Sequence, residues 1–227
     1  MLLATTYFGP VQWYTKLYRC AGQCVEIEAN ETFIKQTYRN RCVIATTNGP
    51  LQLTIPVTHS AEGDKSVCHT LISDHGNWRH LHWQAIKTAY GESAFFEYYE
   101  DDIRPFFIAD RPDAPALLPR LIDYNMEAAK LMCRLLDIDV TFKLTESFTP
   151  PAENDLRYDI RPKNAPQDPD FIPAEYYQVY HSKHGFLPNM SILDLLFNEG
   201  PQAIITLDKS SAPALLNIAT YKARKQC

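Results

Sequence analysis

Residues 41–57, RCVIATTNGPLQLTIPV, decide the fold. Val43, Ile44 and Ala45 form an apolar run, and Leu51, Leu53, Ile55 and Val57 alternate with Gln52, Thr54 and Pro56. Alternation at period two marks a strand with one buried face. Between the runs stands Asn48-Gly49, a pair that tolerates positive φ and closes a tight hairpin. Pro56 has no N–H to donate, so the second strand ends there or lies at an edge. Just upstream, KQTYRNRC at residues 35–42 brings two arginines to the mouth of the first strand.

Working outward, Val25-Glu26-Ile27-Glu28-Ala29 alternates as a half-exposed strand, and residues 1–8 read as a first buried strand. Trp78, Leu81, His82, Ala85, Ile86 and Ala89 fall on one helical stripe, with Asn77 to cap its start and Gly91 its end. A second helix is predicted over 117–136, and FFEYYEDDIRPFF at 95–107 as a short helix or loop over the core. Residues 140–144 and 175–180 read as strands. SILDLLFNEGP at 191–201 is a short helix, with Ser191 as cap, Asp194 in its first turn and Gly200-Pro201 as stop. Residues 149–173 carry repeated prolines and form an irregular segment, placed here as a lid over the site. The expectation is one α/β domain over 1–207, a mixed sheet with an N-terminal hairpin packed against helices. A weakly patterned tail follows at 208–227. The parallel or antiparallel order of the strands stays open.

The 227 residues carry a net charge of -5 and 45% hydrophobic residues, enough for a sizeable core. That charge, with arginines scattered singly, excludes a nucleic-acid binder built on a basic face. No apolar run approaches a membrane span, and residues 1–10 lack the basic start and apolar stretch of a signal peptide. Six scattered cysteines in a chain of this size predict a reduced, cytoplasmic protein. G-x-G-x-x-G, Walker, H-E-x-x-H and G-x-S-x-G motifs are all absent.

Arg39 and Arg41 are the leading candidates for binding. A guanidinium matches carboxylate or phosphate as a planar fork, and on an extended segment both point to one face. The competing reading pairs them with Glu26, Glu28 or Glu31. His82 lies on the apolar stripe, either as a hydrogen-bonded core histidine or as a general acid or base at a pocket floor. His80 and His82 diverge by roughly 200° on a helix and cannot easily share a metal. His181 and His184 sit in a loop that could line a site. A zinc site through Cys20 and Cys24 has no recognised spacing, so no metal ligand is assigned. Asp137-Ile138-Asp139 and Asp168-Pro169-Asp170 have the form that holds a divalent ion on a nucleotide-sugar diphosphate. Asp194 and Asn198 share a helix face, and Asp194 is either a capping acid or a ligand for hydroxyls.

Several blocks together resemble the WbqC-like protein family. They are Tyr7-Phe8-Gly9-Pro10 with Trp13-Tyr14, Tyr38-Arg39-Asn40-Arg41, Leu53-Thr54-Ile55-Pro56-Val57 and Trp78…His82-Trp83…Ile86…Tyr90 with Phe95-Phe96. The last is Pro188-Asn189-x-Ser191-Ile192-Leu193-Asp194-Leu195-Leu196-Phe197-Asn198-Glu199-Gly200. Gly9 departs from the pattern, which often has proline there. The resemblance spans residues 2–207 and implies a bacterial cytoplasmic protein linked with surface-polysaccharide and O-antigen assembly.

The residues and the resemblance lead to one expectation: a transferase moving an acyl, aminoacyl or glycosyl group on an activated amino sugar. Arg39 and Arg41 hold its anionic part; Asn40, Asn189 and Asn198 orient hydroxyls, with His184 at the rim. His82 or Asp194 moves the proton. The small-molecule partner is a nucleotide sugar, an acyl thioester or an amino acid. A cofactor such as Mg²⁺ is called for only by a nucleotide-sugar donor. The rival is a non-catalytic scaffold of a polysaccharide-assembly complex, docking through an exposed Phe95-Phe96-Tyr98-Tyr99 and Phe106-Phe107 patch.

Overall fold

The computed structural model describes residues 1–58, 63–151, 155–163 and 165–211. At its centre lie three parallel strands in the order β1-β2-β7: β1 Leu2–Ala4, β2 Gln23–Glu28 and β7 Val140–Leu144. Leu3 pairs with Ile27, and Val25 with Phe142. Helix α1, Val11–Arg19, makes the crossover from β1 to β2. The chain between β2 and β7 carries the hairpin and three helices.

That hairpin is β3, Arg41–Thr46, against β4, Gly49–Thr54, an antiparallel ladder of its own. Because Thr46 pairs with Gly49, the turn residues are Thr47 and Asn48, one position earlier than the Asn-Gly pair suggests. Gly49, at φ 97°, supplies the positive φ that closes it. β4 stops before Ile55-Pro56, where the missing N–H dictates. A second small ladder joins β5, Val57–Thr58, to β6, Leu71–Ile72.

Helix α2, Trp78–Tyr90, buries Trp78, His82, Trp83, Ile86, Ala89 and Tyr90. The buried face is rotated from the expected stripe, leaving Leu81 59% exposed. Asn77 makes no side-chain cap. Helix α3, Phe96–Ile103, turns Phe96, Tyr99 and Ile103 inward. Helix α4, Leu121–Leu135, begins later than 117 because residues 115–117 form a separate 3₁₀ turn led by Pro115. Residues 175–180 are not a strand; they run irregularly into the single-turn α5, His181–His184. Among the described residues no strand pairs with them, and Tyr176 and Gln178 turn inward instead. Helix α6, Ile192–Glu199, is buried almost all round. Gly200 stops it at φ 55°, where a Cβ would meet the Phe95 ring at 2.5 Å. Helix α7, Ala203–Ser210, continues across the expected boundary at 207, and residues 212–227 of the expected tail lie outside the described residues.

The aromatic cluster at 95–107 belongs to the core. Phe96, Tyr99, Phe106 and Phe107 are buried, and of this set only Tyr98 stands well out, at 74% exposure. Phe8 packs edge-on to Phe106 at 5.4 Å and stacks near Phe107 at 6.1 Å, tying the end of β1 to this layer.

Candidate functional site

Parallel strands share a carboxyl end, and open α/β sheets bind their ligands there. Here that end collects Thr5 and Thr6 after β1, Glu28 at the end of β2 with Asn30 and Glu31 beyond it, and Thr145 after β7. Glu28 is 0% exposed, and both its oxygens are filled. Oε1 accepts from Asn30 N at 2.8 Å and Thr145 Oγ1 at 2.7 Å; Oε2 accepts from Thr149 N at 2.9 Å and Arg157 Nη1 at 3.0 Å.

Arg157 enters from the Pro-rich segment and closes this edge. Its side chain is fully buried, donates to both Asp155 oxygens and the Thr149 carbonyl, and lies 5.4 Å from the Phe148 ring centroid. Burial alone would raise the Asp155 carboxyl, yet the Arg157 hydrogen bonds outweigh it and hold Asp155 below the usual carboxylate range.

Glu31 is different. Its Oε1 accepts from Arg39 Nε at 2.8 Å and Nη2 at 2.6 Å, while Oε2 is buried with no partner. Burial raises the Glu31 carboxyl above its ordinary pKa, and Arg39 only partly offsets the effect. The hydroxyls of Thr5 and Thr6 are likewise buried without partners. They line a cavity of about 10 Å³ together with Trp13, Tyr38, Arg39 and Arg157. Such a space admits about one water-sized group. Among the described residues, ion pairs at this edge join the carboxylates of Glu28, Glu31 and Asp155 to the guanidiniums of Arg39 and Arg157.

Of the residues singled out in the sequence, Arg39 lies in this edge, but its guanidinium is matched by Glu31 rather than free for an anion. Arg41 stands apart at the start of β3, where its Nε donates to Thr54 Oγ1 at 3.2 Å. Asn40 donates to the Ile55 carbonyl at 2.8 Å, leaving its Oδ1 buried and unpartnered. His82 faces the other way, with Nδ1 2.9 Å from the Tyr7 hydroxyl and a further hydrogen bond to the Thr54 backbone. Burial lowers its pKa from 6.5 to about 4, so it is a neutral core imidazole at pH 7.

Asp194 makes a third centre. Its Oδ1 accepts from the Tyr90 hydroxyl at 2.8 Å; its Oδ2 accepts from the Tyr176 hydroxyl at 2.6 Å and Gln178 Nε2 at 2.8 Å. Ser191 caps the helix alone, its Oγ accepting from Leu193 N, so Asp194 is not the capping acid of the box. Asn198 donates to the Asp194 carbonyl within α6. Asn189, at φ 55°, exchanges hydrogen bonds with Gln12. His184 Nε2 lies 3.1 Å from the exposed Thr47 carbonyl. These residues do not converge with Arg39 on one pocket.

The two aspartate pairs lie away from this edge's carboxylates. Asp168 is bound by Lys16 at 2.6 Å and Asp170 by Arg19 at 3.3 Å. Asp137 and Asp139 are exposed at the amino end of β7, opposite the polar edge. Among the described residues no group of three His, Cys, Asp or Glu stands close enough to hold a metal ion. The sequence pointed to Glu28 and Glu31 only as partners for arginine, and it missed Thr5, Thr6, Thr145, Asp155 and Arg157. Gly9 packs against this edge, where a Cβ would meet Thr6 Oγ1 at 2.4 Å.

A three-stranded parallel sheet, covered by helices and carrying a buried polar edge, defines an α/β domain with a candidate ligand site. The WbqC-like protein family matches residues 6–167, and the chain belongs to that family. It is also similar to the uncharacterized protein Rv1507c of Mycobacterium tuberculosis (strain ATCC 25618 / H37Rv). The two are 26% identical over 190 residues, covering 75% of this chain and 81% of that protein. No solved structure matches the chain. No helix among the described residues is long and apolar enough to cross a membrane.

Proposed function

We propose that the protein is a transferase acting on an activated amino sugar in bacterial surface-polysaccharide biosynthesis, moving an acyl, aminoacyl or glycosyl group at the carboxyl edge of the parallel sheet. One observation carries this reading: the oxygens of Thr5, Thr6 and Glu31 are buried there without partners. A buried polar atom left unpaired costs about 1–3 kcal/mol, and such positions persist where a ligand supplies the missing bond. Glu31 also offers a general base a buried oxygen without a partner, and burial raises its carboxyl above the ordinary pKa.

The polysaccharide setting rests on the family resemblance. The scaffold reading needed an exposed aromatic patch, and Phe96, Tyr99, Phe106 and Phe107 are buried. A thermal-shift screen of nucleotide sugars, acyl-CoA thioesters and free amino acids, each with and without Mg²⁺, tests the proposal. A ligand present at a hundred times its Kd stabilises by about 2.7 kcal/mol, readily visible in Tm. A hit that Glu31→Gln abolishes supports the transferase. Silence across the screen would return the weight to a scaffold.

A further inference from the structure

We infer that Cys68 is the nucleophile of an acyl transfer at the carboxyl edge of the sheet, taking the acyl group of a thioester onto its Sγ with His69 as its base. This rests on the proposed transferase reading and selects acyl transfer over glycosyl transfer.

Position comes first. Residues 65–68 run back along residues 29–33. Phe33 N donates to the Lys65 carbonyl at 2.7 Å, Val67 N to the Glu31 carbonyl at 2.9 Å and Cys68 N to the Ala29 carbonyl at 2.8 Å. The 3₁₀ turn Val67–His69 is thereby stitched to the segment that carries Glu31. Cys68 Sγ donates to Asn30 Oδ1 at 3.7 Å, and the same Asn30 side chain donates to the Thr145 carbonyl at 2.8 Å. The half-buried thiol thus stands at the rim of the polar edge.

Its neighbours supply the chemistry. Cys68 Sγ lies 3.2 Å from Ser66 Oγ and 3.7 Å from His69 Nδ1, and Ser66 Oγ lies 3.0 Å from the same Nδ1. Asp64 Oδ2 is 2.6 Å from Nδ1. Hydrogen bonds from Ser66 hold the Asp64 carboxyl below the usual carboxylate range, so it stands as a counter-charge to a proton on Nδ1. A thiol, a base within reach and a third group that orients the base are what nucleophilic catalysis needs.

The step balances without another reactant. Sγ attacks the thioester carbonyl carbon and gives its proton to Nδ1. An S–C bond forms, the donor's C–S bond breaks, and the leaving thiolate takes that proton. An amine or hydroxyl of the acceptor then attacks acyl-Cys68, the S–C bond breaks, and the acceptor's proton returns to Sγ.

The activated ester p-nitrophenyl acetate, which needs no donor pocket, probes the thiol in the full chain. Burial pushes the thiols of Cys20, Cys42 and Cys133 up, which leaves the exposed Cys24 as the comparison. Peptide mass mapping at pH 7 should find Cys68 acetylated at least about tenfold faster than Cys24, a modest share of what a positioned base supplies. His69→Ala should remove that advantage and free imidazole should restore it; Asp64→Asn should slow the reaction and Asp64→Glu recover it. Both side chains are largely in solvent, so these variants keep the fold. Labelling of Cys68 no faster than of Cys24, or indifferent to His69→Ala, overturns the nucleophile. A thioester that binds in the thermal-shift screen and whose transfer survives Cys68→Ala also overturns it, and leaves the transferase reading standing. Fast labelling of Cys68 with no donor bound supports the nucleophile and counts against that reading.

Discussion

Two buried carboxylates, Glu31 and Asp194, invite comparison. They are 1% and 0% exposed, and burial raises the pKa of both. Asp194 is saturated: two tyrosine hydroxyls and an amide fill its oxygens and fasten α6 to α2 and to the 175–180 segment. Glu31 is half-filled, with one oxygen on Arg39 and the other facing nothing. Equal burial thus yields opposite roles. A saturated carboxylate holds elements together, whereas an unsaturated one destabilises the fold until something binds it.

Substitutions can break this comparison, beginning with the largest effect. Arg157→Met should cost about 3–5 kcal/mol in chemical denaturation, because it strands Glu28 and Asp155 as buried charges. A loss near zero would mean that the edge is wet and open. Asp194→Ala should cost about 2–4 kcal/mol by leaving Tyr90, Tyr176 and Gln178 without their acceptor, and should leave ligand binding alone.

His82 supplies a control away from both carboxylates. Its folded pKa of about 4 lies below the ordinary 6.5, so the unfolded chain binds more protons between those values. Stability is therefore fully present above pH 6.5 and falls as pH drops toward 4, by about 3 kcal/mol, and His82→Gln should flatten that limb of an acid titration. Glu31→Gln should show the smallest stability change, within about 1 kcal/mol, since it leaves two carboxylates facing two guanidiniums and keeps an acceptor for Arg39. Its effect belongs in binding. A large loss of stability from Glu31→Gln would put it in the same class as Asp194.

The same contrast sets what the sequence could tell. The hairpin and α2 were legible because period-two and period-3.6 patterns report local burial, even where Gly49 rather than Asn48 carried the positive φ. Arg39 was legible as an oddity, two guanidiniums before an apolar strand. Its pairing with Glu31 stood as the competing reading, but the choice between Glu26, Glu28 and Glu31 needed the fold, because the partner sits eight residues away across an irregular turn. Asp155 and Arg157 lie in a Pro-rich stretch without periodicity, and nothing local shows that the segment folds back over β2. Thr5 and Thr6 read as ordinary polar residues until the sheet places them at a shared carboxyl end. Asp194 looked like a capping acid because its spacing from Ser191 suits one, and only the tertiary approach of Tyr90 and Tyr176 redirects it.

The most direct measurement is a pH titration of the Glu31 and Asp194 side-chain carboxyl carbons by NMR, with and without a ligand found in the thermal-shift screen. Glu31 should titrate above the ordinary glutamate range in the free protein and shift when the ligand binds, while Asp194 keeps one curve in both. A Glu31 curve that is ordinary from the start, or that ignores the ligand, would contradict the assignment of this edge as the ligand site.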